Sequence, residues 1–142
     1  MNVVVDASVV LKWLIFEDDS EAALQVRTSH DVIAPDLLLI ECRNVLLTKV
    51  RRGELHHSEA EEKQRAFEEI ESAMAIVSSS PLLRQAFTIA LDLAEPIYDC
   101  IYLAAALAVD QTLITADGRF AAKAARSRFG KNRVTLLRSM SS

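Results

Sequence analysis

Three consecutive valines open this chain, and the run Asn2–Val5 stops at a carboxylate, Asp6. Nothing in the run alternates with polar side chains, which is the pattern of a strand buried on both faces. Similar short apolar runs return at 32–34, 75–78, 111–115 and 134–137. The segments between them carry helical signals. An apolar helix is expected over 8–16, and a second from Asp18 or Asp19, whose carboxylates suit first-turn amides. Pro35 and Asp36 end the second strand, with Asp36 as candidate N-cap of a helix reaching Arg51-Arg52-Gly53. Ser58 followed by Glu61 has the capping-box pattern and opens a polar helix to about Met74. Ser80-Pro81 opens another that must stop before Pro96. An Ala-rich helix is expected over 98–109, and a last one over 118–128. Short buried strands alternating with helices specify an α/β fold with a parallel sheet covered on both faces.

At 142 residues the chain is expected to form one domain, residues 1–142, that buries about two thirds of its unfolded surface. It is 51% apolar and 25% charged, which argues against disorder. Cys42 and Cys100 make no disulfide framework, so a reducing, cytoplasmic setting is expected. No targeting segment is visible, because the apolar opening contains Asp6 and lacks a basic head. The longest unbroken apolar run, 100–109, has ten residues and is too short to span a membrane.

The net charge of −4 argues against a simple electrostatic nucleic-acid binder, but it averages over a segregation. From Glu54 to Glu71 there are seven glutamates against Lys63 and Arg65. After Asp117 there are seven basic side chains and no acidic one. Both stretches suit solvated helix faces, and the basic one also suits holding a polyanion near a site formed elsewhere.

Four carboxylates stand where simple core or surface roles do not suit them. Asp6 ends the first strand, where open parallel sheets bind ligands, and Asp117 follows Leu113-Ile114-Thr115 in the same way. Glu41 and Asp99 lie in otherwise buried-looking helical contexts, Leu37 to Cys42 and Tyr98 to Tyr102. A buried unpaired carboxylate costs several kcal/mol or loses its charge, so each needs a partner. Ion pairing and helix capping are alternatives, but Lys12, Arg43 and Arg119 are poorly placed in sequence to serve all of them. One divalent cation compensates several carboxylates at once. Oxygen-only ligation favours Mg²⁺ or Mn²⁺, and His30, His56 and His57 show no zinc spacing. Thr115 shares a side with Asp117, and Ser8 follows Asp6 by two residues, to cap the first helix or to touch metal, water or substrate. Asn44, one turn past Glu41, is placed to orient it by a hydrogen bond. Arg119 and Lys123 are candidate phosphate contacts.

The segments Asp6-Ala7-Ser8, Glu41-Cys42-Arg43-Asn44-Val45-Leu46, Tyr98-Asp99-Cys100-Ile101-Tyr102-Leu103-Ala104 and Thr115-Ala116-Asp117-Gly118-Arg119-Phe120, in that order, resemble the PIN-domain nucleases. Among these the chain looks most like the VapC-type toxins of prokaryotic toxin–antitoxin pairs. The resemblance implies a three-layer α/β/α sandwich with a central, mainly parallel sheet and an Mg²⁺- or Mn²⁺-dependent endoribonuclease. It implies Asp6, Glu41, Asp99 and Asp117 as metal-binding and catalytic acids, with Thr115 the accompanying hydroxyl and Asn44 a polar neighbour of the second acid. It further implies a homodimer and a small VapB-type antitoxin whose tail covers an apolar groove and presents a basic side chain to the acids. Trp13, Leu14 and Phe16 are candidates for groove, dimer contact or core. In the expected mechanism, Asp6 is the central ligand, Glu41 and Asp99 complete one shell, and Asp117 with Thr115 holds a second ion or its waters. Attack by water would leave 5′-phosphate and 3′-hydroxyl ends on RNA.

Two other readings compete. A metal-dependent phosphotransfer enzyme of another family would hydrolyse phosphomonoesters, yet the aspartyl-nucleophile pattern wants an acid where Ser8 stands. A catalytically inactive interaction domain would use the acids as an exposed recognition patch. Dinucleotide binding fails, since the turn Asp6-Ala7-Ser8 has no glycine-rich loop.

Overall fold

The computed structural model describes residues 1–140; Ser141 and Ser142, the end of the expected domain, lie outside the described residues. The chain alternates β1 (Asn2–Val5), α1 (Ala7–Leu14), α2 (Ser20–Ser29), β2 (Asp31–Pro35), α3 (Leu37–Arg51), α4 (His57–Ser72) and β3 (Ala75–Val77). A 3₁₀ turn, Ser80–Leu82, then leads into α5 (Leu83–Leu93), α6 (Ile97–Ala108), β4 (Thr112–Thr115), α7 (Gly118–Ala125) and β5 (Val134–Leu136). The five strands form one sheet in the order β3-β2-β1-β4-β5, and every pairing is parallel. Helices cover both faces, giving the expected three-layer α/β/α arrangement.

The valine run explains why β1 is central. Val3, Val4 and Val5 are 0–4% exposed, so both faces of this strand are covered. Leu113 and Ile114 of β4 are equally buried beside it. Helix α6 packs on β1, β2 and β4 and also on α5. Its small side chains Ala104, Ala105 and Ala106 are fully buried there, which permits close approach to its neighbours. Among the described residues, no helix is long and apolar enough to cross a membrane.

Several helix starts differ from the sequence reading. Helix α1 is capped by Asp6, not Ser8: Asp6 is extended at φ −103°, and its carboxylate accepts from Val9 N at 3.3 Å. Neither Asp18 nor Asp19 caps α2 through its side chain, and Asp19 turns into it at φ 66°. Asp36 precedes α3 with helical dihedrals and does not cap it. Its Oδ1 accepts from Ser79 N instead (3.1 Å), while Leu37 N donates to Ser79 Oγ (3.3 Å), so the turns after β2 and β3 are clipped together. Helix α4 starts before the Ser58–Glu61 pattern, where the Glu59 carboxylate accepts from His56 N at 2.8 Å. The reach-back acid is thus two residues earlier than expected.

Candidate active site

Strand order fixes where a site can form. From β1 the chain crosses to β2 on one side and reaches β4 on the other, leaving a crevice at the carboxyl ends of β1 and β4. The register places Val5 opposite Ile114, so Asp6 and Thr115 meet at the next level. Thr115 is fully buried and Asp6 is 9% exposed. Thr115 Oγ1 donates to Asp6 Oδ2, and Ser8 Oγ donates to Asp6 Oδ1. Ser8 Oγ in turn accepts from Ala116 N at 2.9 Å, and Thr115 Oγ1 accepts from Asp117 N at 3.1 Å. The two hydroxyls therefore lace the end of β1 to the turn after β4. Burial raises the Asp6 carboxyl above its usual range, opposed by hydrogen bonds from Ser8, Thr115 and Val9.

Asp117 begins α7, its Oδ1 accepting from Phe120 N at 3.0 Å. Asp99 lies in the first turn of α6 and is half-buried. Burial, together with the charges of Asp6, Asp117, Glu41 and Glu95, pushes it up to about 6. The charges of the other three sequence-predicted acids therefore reach Asp99. Glu41 on α3 receives the hydroxyl of Tyr102 from α6. Burial and the Glu41 carboxylate raise Tyr102 far above its ordinary value, so it remains a neutral donor. Asn44 is exposed and makes no hydrogen bond to Glu41; the orienting bond comes from Tyr102 instead.

Two participants escaped sequence reasoning. Tyr102 follows Asp99 by three residues on one helix, a same-face spacing that was the available signal. Glu95 precedes α6, beside the Pro96 before which the preceding helix is expected to stop. Its side chain is 4% exposed and takes Arg119 Nη1 at 2.6 Å, with Lys123 Nζ at 3.9 Å. The two candidate phosphate contacts thus share an acidic anchor, and their charges outnumber it. Lys12 turns away to Glu17 (3.3 Å) and to Asp18 O (2.7 Å). Of the three candidate groove residues, Leu14 joins the core and Trp13 donates to Ala23 O (2.7 Å) beneath the Arg27 guanidinium. Phe16 is 93% exposed.

The donor set is hard oxygen only. Cys42 and Cys100 are buried, and burial with neighbouring acids pushes their thiols up to about 12 and about 11, so neither offers a thiolate. Among the described residues no three acidic, histidine or cysteine side chains converge tightly enough to enclose a cation by themselves. Such a set fits Mg²⁺ or Mn²⁺ carrying much of its water and taking one or two carboxylates directly.

The sequence profile of the PIN domain matches residues 3–126. The chain belongs to the PIN-domain family. Ribonuclease VapC3 of Pyrobaculum aerophilum is 32% identical to this PIN domain over 124 residues, covering 87% of this chain and 95% of the relative. A crystal structure of another Pyrobaculum aerophilum protein superposes with a TM-score of 0.71 at 18% identity, over 99% of this chain and 87% of the other. The toxin–antitoxin complex of Klebsiella pneumoniae contains a chain with a TM-score of 0.64 at 13% identity, over 95% and 97% respectively. The two solved structures share the fold of this PIN domain.

Proposed function

We propose that this PIN domain, taken as the single unit 1–142, is a divalent-metal-dependent endoribonuclease that acts in the cytoplasm as the toxin of a toxin–antitoxin pair. The reading is carried by the crevice at the ends of β1 and β4, where Ser8 and Thr115 fix the Asp6 carboxylate against the turn that holds Asp117, and where the charges of Asp6, Asp117 and Glu41 bear on Asp99. Carboxylates arranged in this way repel one another, and a shared cation relieves all of them together. The ribonuclease assignment is supported by the VapC3 relative. The antitoxin partner is supported by the Klebsiella pneumoniae complex and by the exposed Phe16 beside a groove lined by Trp13, Leu14 and Leu24.

Asp6, Glu41, Asp99 and Asp117 would hold Mg²⁺ or Mn²⁺. When bound, the ion supplies Lewis acidity toward the phosphodiester and acidifies water for attack. The protein's own contribution is placement. Ser8 and Thr115 fix both oxygens of Asp6, and the α7 N-terminus fixes Asp117. Arg119 and Lys123 stand with Glu95 at the rim, where an RNA phosphate would meet two cations against one carboxylate. Homodimerisation is supported by α5, which exposes Leu83, Phe87 and Leu91 one turn apart.

Purified protein is expected to cut RNA in the presence of Mg²⁺ and to leave 5′-phosphate ends. Asp6→Asn and Asp99→Asn should each stay folded by circular dichroism and lose at least roughly 100-fold in cleavage rate. Cleavage that survives both substitutions and chelation by EDTA would overturn the reading.

A further inference from the structure

Tyr102 is 1% exposed among apolar neighbours on α6, where Cys100, Ile101, Leu103 and Ala104 fill the core. Filling that space calls for a ring and not for a hydroxyl, since phenylalanine would pack there without a polar atom to satisfy. The hydroxyl is directed instead at Glu41 Oε1, 61 residues away in the chain. No other hydrogen bond to the Glu41 side chain forms among the described residues, so Oε2 has no protein partner. Glu41 is a long, flexible side chain beside like charges that favour swinging it outward. Its helical neighbour Asn44 does not hold it.

We propose that Tyr102 is a positioning residue for the ion site: its buried hydroxyl ties down one oxygen of Glu41 and presents the other. Because Asp99 and Tyr102 sit three residues apart on α6, one helix supplies an acid to the site directly and fixes a second acid carried by α3. Carboxylates that hold metals are commonly fixed in this way by a hydrogen bond to the oxygen that does not coordinate. The inference rests on the nuclease reading above, and the experiment separates the two.

Mn²⁺ binding to metal-free protein, followed by electron paramagnetic resonance, is the direct readout. Tyr102→Phe keeps the ring and is expected to bind Mn²⁺ roughly 10-fold more weakly. It should need correspondingly more Mg²⁺ for half-maximal RNA cleavage, while kcat at saturating ion falls less. In a Glu41→Gln background the same change should add nothing, since residue 41 then has no carboxylate to present to the ion and its orientation ceases to matter. Unchanged Mn²⁺ affinity in Tyr102→Phe, or an equal loss in the Glu41→Gln background, overturns the proposal. Should Tyr102→Phe fail to fold, Glu41→Asp withdraws the carboxylate from the hydroxyl without touching the α6 core. Weaker Mn²⁺ binding is then expected, and unchanged affinity overturns the proposal. Wild-type protein that neither binds Mn²⁺ nor cleaves RNA overturns the nuclease reading itself.

Discussion

Asp99 carries a tension between folding and activity within one side chain. In the folded protein its carboxyl keeps a proton up to about pH 6, whereas its ordinary value is 3.8. Between those values the folded state binds more protons than the unfolded chain, so this group's contribution to stability falls as pH rises through the window. Above pH 6 the full cost is present. The cause is burial first, then the charges of Asp6, Asp117, Glu41 and Glu95. Asp99→Asn removes the charge and keeps the shape. In EDTA at pH 7 to 8 the variant is expected to be more stable than wild type by about 1 kcal/mol, allowing for solvent screening of a half-buried group. Below about pH 4 the gain should vanish, because wild-type Asp99 is then neutral in both states. Thermal melts across pH decide it, and a gain that persists at pH 3.5 would mean the charge is not its source. A substitution that abolishes cleavage while stabilising the metal-free fold separates a functional acid from a structural one.

At the scale of elements, the strands and the acids at their ends were readable because their cause is local. A run of three valines has one environment that suits it, and the next residue marks where the sheet stops. Helix ends were less readable, because the groups that cap them come from elsewhere or compete locally. Asp36 reads as a cap until Ser79, brought alongside by β3, takes its carboxylate. Tyr102 and Glu95 are hard to read for the same reason: their partners lie on α3 and α7, and the three-residue spacing from Asp99 to Tyr102 marks a shared face without naming what that face meets. The end of α7 is a further case. Helical pattern continues to 128, yet the helix stops at Ala125, where Ser127 Oγ donates to Ala124 O (2.8 Å) and accepts from Gly130 N (3.1 Å). The returning chain passes so close that a Cβ on Gly130 would lie 2.3 Å from Ala124 O. The nearest atoms belong to the Ala124 backbone, so neither side can yield cheaply. Gly130→Ala is expected to cost about 1–3 kcal/mol. Chemical denaturation should show it as a lower midpoint with little change in slope, and an unchanged midpoint would show that the α7–β5 connection can shift freely.

For the whole molecule, an exposed apolar stripe on α5 supports the proposal that two copies of the chain associate. Leu83, Phe87 and Leu91 are 45%, 58% and 70% exposed at four-residue intervals on α5, whose other face is buried against α6. A stripe of this kind is the surface expected to be covered in an assembly. A two-fold axis beside Phe87 would run two α5 helices antiparallel, bringing Leu83 to the partner's Leu91 and Phe87 to its own copy. The flanking charges suit the same symmetry. Arg84 lies near one end of the stripe and Asp92 near the other, so each would approach its opposite across the axis. A parallel arrangement would instead set like charges side by side. Light scattering should report a dimer for the wild type and a monomer for Phe87→Glu, which places two carboxylates at the axis. Arg84→Asp should weaken the dimer several-fold by repelling the partner's Asp92, and adding Asp92→Arg should restore it. Failure of the exchanged pair to recover association, with Phe87→Glu still monomeric, would keep the apolar contact but exclude the antiparallel pairing. A dimer that persists in Phe87→Glu would exclude α5 altogether.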